Sequence, residues 1–210
     1  MAGREWDPLD GVFAPPFSAT TGVAMEILGL DGDGRPRFRR HGSFLEVGPG
    51  TGVIAVSAAL AGCVRVVATD ISVAAVKNTG MNAERHRVGD RVRAAQGDLF
   101  SALDAGERFD TVYWHSNFVL GPADHRYETV HEAAYVDPGY EAHRRYLAEA
   151  PLLLTEGGSA LLQFSDRGDL GRLRDLAAGC GRELDVLRRR TFLEGTETIE
   201  HILFEVRIAS

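Results

Sequence analysis

The sequence predicts one α/β domain, built on a mostly parallel sheet with helices packed on both faces. Strand-like and helix-like segments alternate along most of the chain, 210 residues suit one domain with a sizeable core, and the last two predicted strands are only five residues apart. Strands that alternate with helices run parallel, whereas so short a connection forms an antiparallel hairpin. We therefore expect a doubly wound sheet with one reversed strand, which binds ligands at the carboxyl ends of its strands.

An arm and a helix in residues 1–42 precede the main unit, residues 43–210. Three prolines oppose a helix in residues 1–17, and a helix follows over residues 18–30. The predicted strands are residues 43–48, 64–70, 91–96, 108–116, 159–165, 183–192 and 198–207. The predicted helices of the main unit are residues 51–62, 72–86, 139–154 and 168–181. Residues 117–139 are predicted to be irregular.

The composition is that of a soluble globular protein, with 44% hydrophobic and 25% charged residues. A net charge of −7 disfavours nucleic acid as a partner, because nucleic-acid binders usually present a basic face. The two cysteines are too few for a disulfide framework or a metal site. The N-terminus lacks the pattern of a signal peptide, and no apolar stretch approaches the roughly 20 residues of a membrane helix. These features predict a cytoplasmic protein with no membrane partner.

A glycine-rich stretch, FLEVGPGTGV, joins the first predicted strand to the following helix at residues 44–53. Glycines at such a turn permit positive φ and let the backbone approach a ligand closely. The lysine of a phosphate-binding P-loop is missing, and the third glycine comes one residue too early for a dinucleotide fingerprint. Glu46, two residues before the first of Gly48, Gly50 and Gly52, favours a positively charged ligand over a pyrophosphate.

Two further carboxylates follow the second and third strands. Asp70, followed by Ile71, is placed to accept the hydroxyls of a ribose, as in nucleotide-binding α/β folds. Asp98 is placed to accept an adenine amino group, while Leu99 or Phe100 covers the ring. A cradle for a charged amino-acid portion, a ribose acceptor and an adenine acceptor together describe S-adenosyl-L-methionine, the predicted cofactor.

These motifs resemble the Rossmann-like S-adenosylmethionine-dependent methyltransferases. The pattern E-x-G-x-G-x-G, then Asp70, GDLF and FDTVYW carries the resemblance, which spans essentially the whole chain. VFAPPFSATT at residues 12–21 and AVKNTGMNA at residues 75–83 are similar to a subgroup that includes release-factor glutamine and ribosomal-RNA guanine methyltransferases. The resemblance implies the strand order 3-2-1-4-5-7-6, with strand 7 antiparallel.

The acceptor site is expected at WHSNFV, residues 114–119, at the end of the fourth strand. The subgroup has Asn-Pro-Pro-Tyr/Phe there, whereas this chain keeps only the aromatic Phe118, a candidate acceptor contact. His115 is predicted to take a proton from the acceptor, because histidine titrates near neutral pH, and Asn117 to orient it. The alternative is a hydrogen-bonded strand-end histidine without a chemical role.

The long segment after this strand predicts a lid that faces the acceptor, because long loops at this edge of a sheet are more often functional than idle. Its candidate acceptor contacts are Tyr127, His131 and Tyr135, and Phe17 of the proline-rich arm is a further one. The histidines and carboxylates of this region lack the spacing of a metal site, so no metal is predicted.

The sequence thus predicts methyl transfer to a nitrogen or oxygen of a small-molecule acceptor, since the chain is acidic and has no separate recognition domain. One alternative is an enzyme that cleaves or cyclises S-adenosylmethionine itself. Others are a protein glutamine methyltransferase and a non-catalytic cofactor-binding module. A homodimer is compatible with the sequence.

Overall fold

The computed structural model describes residues 1, 3–13, 19–32, 36, 38–39 and 41–209, and of residues 130 and 131 only the backbone. The described strands are β1 (Ser43–Val47), β2 (Arg65–Asp70), β3 (Val92–Gln96), β4 (Phe109–His115), β5 (Val119–Gly121), β6 (Val136–Pro138), β7 (Leu154–Ser165), β8 (Arg182–Glu194) and β9 (Glu197–Ile208). The described α-helices are α1 (Ala19–Leu28), α2 (Val53–Leu60), α3 (Val73–Arg85), α4 (Glu141–Glu149) and α5 (Leu170–Gly179). None of these helices is long and apolar enough to cross a membrane.

Seven strands form one sheet in the order β3-β2-β1-β4-β7-β9-β8. All pairings are parallel except those of β9, which runs antiparallel to both β7 and β8. This confirms the predicted α/β class, the strand order and the reversed last strand. Every residue of β1 is buried, as expected for a central strand covered on both faces.

The two faces of the sheet carry separate apolar clusters. Side chains of α1 and α2 pack with Phe44, Tyr113 and Leu203 on one face. Side chains of α4 and α5 pack with Leu45, Trp114 and Phe204 on the other. Successive residues of a strand point to opposite faces, so the neighbours Tyr113 and Trp114 belong to different layers. The carboxyl ends of β1, β2 and β4 meet at one edge, where the predicted site lies.

Residues 117–139 are more regular than predicted. β5 pairs in parallel with β6, and a 3-10 helix, Val130–Ala134, lies between them. Strands of three residues leave too short a pattern to be read from sequence. The helix predicted to reach residue 154 instead ends at Glu149 and gives way to a 3-10 turn, Ala150–Leu153, at Pro151. Proline cannot donate the hydrogen bond that an α-helix needs at that position.

The N-terminal arm is tied to α3 by two buried asparagines. The amide nitrogen of Leu9 donates to Oδ1 of Asn78 at 2.8 Å, and that of Asp7 donates to Oδ1 of Asn82 at 2.9 Å. Nδ2 of Asn82 donates to the carbonyl oxygen of Thr51, at 2.9 Å, within the glycine-rich turn. One side chain of α3 therefore joins the arm to the turn.

Candidate active site

The glycine-rich turn has the left-handed backbone that the sequence predicts. Gly48, Gly50 and Gly52 have φ of +64°, +55° and +81°. A Cβ at Gly52 would lie 2.8 Å from Cα of Thr79, so α3 closes against the turn at this residue. A Cβ at Gly48 would have its nearest neighbour, Nε1 of Trp114, at 3.6 Å, so the turn leaves more room there. The first part of the turn is therefore the part that a ligand can approach.

Glu46 is a buried acid beside this turn, with only 2% of its surface exposed. Its Oε2 has no hydrogen-bond partner among the described residues. Burial raises the pKa of the Glu46 carboxyl to about 8, and the negative charge of Asp70 adds to the rise against a backbone hydrogen bond from Ala55. An unpartnered buried acid of this kind becomes a favourable neighbour for a positively charged group.

Asp70 ends β2 and is held by the backbone. Its Oδ2 accepts from the amide nitrogen of Gly50 at 3.3 Å, and its Oδ1 accepts from that of Ser72 at 2.9 Å. Burial raises the pKa of Asp70, opposed by these two hydrogen bonds. Each oxygen keeps a second lone pair, so the carboxylate can still accept two hydroxyls of a ribose. Ile71 follows with 42% of its surface exposed, an apolar surface next to that acceptor.

Asp98 and Leu99 follow β3 at the same edge. Leu99 has φ of +50°, and its carbonyl oxygen accepts from Oγ1 of Thr69 at 2.7 Å. The Leu99 side chain is buried in the apolar cluster with Trp114. Oδ2 of Asp98 lies 2.6 Å from Nη1 of Arg145, a residue of α4 that the sequence did not indicate. The second carboxylate oxygen remains for an adenine amino group.

His115 ends β4 and is joined to a buried polar network. Its Nε2 lies 3.4 Å from Nε2 of Gln163, which also lies 3.0 Å from Nδ1 of His201. The hydroxyl of Tyr113 donates to Oε1 of Gln163 at 2.9 Å. Burial, with His201 adding to it, lowers the pKa of His115 to about 3. A ring that resists protonation so strongly is a weak general base near neutral pH.

Asn117 holds the loop that follows β4. Its Nδ2 donates to the carbonyl oxygens of Ala133 and Val136, at 2.9 and 3.0 Å. Its Oδ1 is buried and has no partner in the described part of the chain. Both side-chain amide hydrogens of Asn117 are thus donated to the loop, and only its Oδ1 remains to orient an acceptor.

The predicted lid contacts differ in their surroundings. Tyr127 and Tyr135 are 41% and 43% exposed, and the Tyr127 hydroxyl donates to the carbonyl oxygen of Val136 at 3.0 Å. The ring of Phe118 is half-buried and lies 6.3 Å from that of His201. Phe17 and the side chain of His131 lie outside the described residues. Their assignment as acceptor contacts stays a prediction.

Asp137 and His143 form a buried carboxylate–imidazole pair that joins the end of the predicted lid to α4. Asp137 accepts from the amide nitrogens of Ala142 and His143 and lies 2.6 Å from Nδ1 of His143. The His143 ring packs 4.7 Å from that of Trp114. Burial lowers the pKa of His143, although Asp137 opposes the change. The pair fixes the start of α4 against β4, and the described residues contain no group of three side chains that could hold a metal ion.

Comparison with known proteins places this geometry in a family. Residues 44–136 match the family described as methyltransferase domain. The release factor glutamine methyltransferase of Bordetella pertussis is 34% identical over 164 residues, covering 74% of this chain and 58% of that protein. These residues form a methyltransferase domain of Rossmann-like fold, similar to the domains of S-adenosylmethionine-dependent enzymes. The chain spans only about 58% of the length of that relative.

Two further comparisons agree with this methyltransferase assignment. The ribosomal protein uL3 glutamine methyltransferase of Bordetella pertussis is 32% identical over 132 residues, covering 60% of this chain and 44% of that protein. The crystal structure of a methyltransferase from Pyrococcus furiosus superposes with a TM-score of 0.62 at 21% identity, covering 94% of this chain and 90% of that one. At that identity the structural likeness shows the fold alone.

The small-molecule acceptor predicted from the sequence was wrong. The named relatives of this methyltransferase act on proteins, a release factor and a ribosomal protein. An acidic composition argues against nucleic acid, but it does not distinguish a small acceptor from a protein. The predictions of a cytoplasmic location and of a homodimer stay predictions.

Sequence reasoning missed side chains that contact the predicted site residues His115 and Asp98. Gln163, His201 and Arg145 come from distant segments and carry no local motif. Asn78 and Asn82 lie in a stretch that had carried the resemblance, but no contact had been assigned to them. Only their hydrogen bonds to the arm reveal a role.

Proposed function

We propose that this chain transfers the methyl group of S-adenosylmethionine to the side-chain carboxamide nitrogen of a glutamine in a protein substrate. The single observation that carries the proposal is the likeness to the glutamine methyltransferases, which extends over 74% of this chain in one case. A cofactor cradle beside a polar strand end is consistent with it.

The described residues fit the cofactor. The open glycine turn and the unpartnered Glu46 would hold the charged methionine portion, Asp70 the ribose, and Asp98 with Ile71 the adenine. Bound there, the cofactor supplies a methyl group already activated by its sulfonium. The remaining work of the protein is alignment and the exclusion of water, which together lower the barrier of an in-line displacement.

The acceptor end suits a planar carboxamide. A carboxamide offers one oxygen that accepts and one nitrogen that donates. His115 lies at the end of β4, next to Trp114, whose Nε1 is near Gly48 of the cofactor turn. Asn117 adds an oxygen that lacks a partner in the described structure and can accept from the amide nitrogen. The exposed rings of Tyr127 and Tyr135, in the segment that follows β4, suit contact with a polypeptide.

Incubation of the purified protein with methyl-labelled S-adenosylmethionine and recombinant release factors or ribosomal proteins tests this function. We expect one methyl group on a glutamine side chain, located by peptide mass spectrometry. The matched controls are the same substrate with that glutamine replaced by glutamate and the Asp70→Asn enzyme. Methyl groups found on lysine or on an amino terminus would contradict the proposal. Formation of methylthioadenosine from the cofactor alone would favour the cleaving enzyme instead.

We also propose that residues 1–42 form a cover for the cofactor site on the main unit, residues 43–210. Asn82 links Asp7 of the arm to Thr51 of the turn, and the carbonyl oxygen of Phe13 lies 3.8 Å from a Cβ built on Gly50. Removal of residues 1–13 should weaken cofactor binding by about tenfold, roughly the loss of one or two hydrogen bonds. Calorimetry with unchanged affinity would refute the cover.

A further inference from the structure

The side-chain amide of Gln163 lies between three other side chains on one face of the sheet. Gln163 of β7 pairs in register with His115 of β4, and both belong to the carboxyl ends of their strands. Gln163 is fully buried, as are Tyr113 and His201. Three of its hydrogen-bonding positions are occupied, by the Tyr113 hydroxyl at 2.9 Å, Nδ1 of His201 at 3.0 Å and Nε2 of His115 at 3.4 Å.

One orientation of this amide leaves fewer buried hydrogens without an acceptor than the other. With Oε1 facing Tyr113, the phenol donates to the amide oxygen, and the two amide hydrogens point to the two histidines. In the reverse orientation the Tyr113 hydroxyl hydrogen would lose its acceptor, and one amide hydrogen would have none. The first orientation leaves one buried hydrogen without a described acceptor, on Nε2 of His201, whereas the reverse orientation leaves two. Buried donors without acceptors cost about 1–3 kcal/mol each, so the first orientation is the more stable one.

This orientation decides which nitrogen of each histidine carries the proton. A neutral imidazole has one N–H and one lone pair. Because Nε2 of His115 and Nδ1 of His201 both accept from Gln163, the ring hydrogens are on Nδ1 of His115 and Nε2 of His201. His201 is buried, whereas His115 is only half-buried at the strand end. His115 is thus the member of the pair whose N–H an acceptor molecule can reach.

We propose that Gln163 is a positioning residue that fixes His115 as an Nδ1–H donor, which holds the carbonyl oxygen of the acceptor carboxamide. The assignment replaces the base predicted from the sequence with a hydrogen-bond donor, and it rests on the proposed function for the identity of the acceptor. The lowered pKa values of the two rings, about 3 for His115 and about 4 for His201, keep both neutral and singly protonated. A donor to the carbonyl fixes the plane of the amide, so that its nitrogen can face the methyl group.

Nitrogen-15 NMR of protein labelled on histidine tests the tautomer without cofactor or acceptor. We expect the His115 signals of an Nδ1–H ring with an unprotonated Nε2, assigned by their absence from the His115→Asn variant. Signals of an Nε2–H ring would overturn the inference whatever the substrate is. A correct tautomer without any glutamine methylation would instead overturn the proposed function and leave the role of Gln163 standing.

A double-mutant cycle with the protein substrate tests the consequence for turnover. Gln163→Leu should lower kcat by about tenfold or more in the His115 background, as expected for a misaligned donor at a reacting carbonyl, with little change in cofactor affinity. In the His115→Asn background the same substitution should have almost no effect, because an asparagine amide donates without a choice of tautomer. Equal losses in both backgrounds would show a merely structural role. Gln163→Glu, which keeps the shape, serves where Gln163→Leu does not fold, and it should shift the His115 nitrogen signals.

Discussion

The proposed cofactor end and the proposed acceptor end of this methyltransferase domain differ in how their polar groups are used. At the cofactor end, Glu46 has an oxygen without a described partner, and Asp70 is held only by backbone amides. At the acceptor end, His115 and Asn117 are already hydrogen-bonded to Gln163 and to the lid. The cofactor end therefore has carboxylate oxygens that are free to bind a ligand. The acceptor end consists of side chains that are hydrogen-bonded to other protein groups. Substitutions should therefore act on affinity at the first end and on geometry at the second.

The largest expected effect is a pH dependence that belongs to Glu46. Its pKa is raised from 4.5 to about 8 on folding, so the folded state favours the neutral acid. The stabilisation from this protonation is fully present below pH 4.5 and is lost as the pH rises through about 8. Glu46→Gln should therefore become more stable than the unchanged protein across this window, by a difference on the order of 4 kcal/mol.

Urea denaturation of both proteins from pH 5 to pH 8 measures this difference. Subtraction removes the contributions of the other titrating groups, which the two proteins share. A difference in unfolding free energy that stays constant with pH would show that Glu46 is ionised in the folded state.

Asp70→Asn should weaken cofactor binding by about a hundredfold, or roughly 2.7 kcal/mol, because a neutral amide accepts hydroxyls less strongly and also faces the backbone amides of Gly50 and Ser72. Calorimetry with S-adenosylmethionine measures the change. Asp185→Asn, which breaks an exposed ion pair with Arg207, is the matched control and should leave the affinity unchanged. A Kd within twofold of the original would exclude the ribose assignment.

A comparison of two glycines separates backbone strain from close packing. Gly52 and Gly106 have φ of +81° and +85°, but only at Gly52 would a Cβ meet α3. Gly52→Ala should lower the free energy of unfolding by about 2 kcal/mol more than Gly106→Ala, because it adds a clash to the same strain. Thermal and urea unfolding give both values. Equal decreases in the free energy of unfolding would mean that α3 moves to accommodate the added methyl group. The turn would then be less tightly packed than its contacts indicate.

The smallest effect is expected at the lid. Asn117 and Tyr127 both donate to the carbonyl oxygen of Val136, but Asn117 is the more buried and also holds Ala133. Asn117→Ala should cost about 1–2 kcal/mol of stability and raise KM for the acceptor, whereas Tyr127→Phe should cost about 0.5 kcal/mol. Denaturation and steady-state kinetics distinguish them. A larger loss at Tyr127 would place the main support of the lid on its outer surface.

The difference between the cofactor end and the acceptor end also explains how much of the site could be predicted from the sequence. The glycine turn, Asp70 and the alternation of strands and helices follow from local patterns, since each is specified by residues close together in the chain. The strand order was implied by the family resemblance that these motifs carry. The hydrogen bonds of the His115 network join residues that are 38 to 50 positions apart in the sequence. No local sequence pattern predicts hydrogen bonds between such distant residues. The sequence-based choice of His115 as a base rested on the ordinary pKa of histidine, which burial changes. The short strands β5 and β6 escaped notice because each has only three residues.

The shared anchor at Asn82 has a practical consequence for handling the protein. The side-chain amide of Asn82 donates to the carbonyl oxygens of both Asp7 and Thr51. A displacement of the first residues would therefore also displace the glycine turn. The other terminus is different, because β9 runs against the parallel strands and Ile208 pairs with Arg182 at the edge remote from the site. An affinity tag belongs after residue 210. A tag fused ahead of Met1 would disturb the binding reaction that a calorimetric experiment sets out to measure.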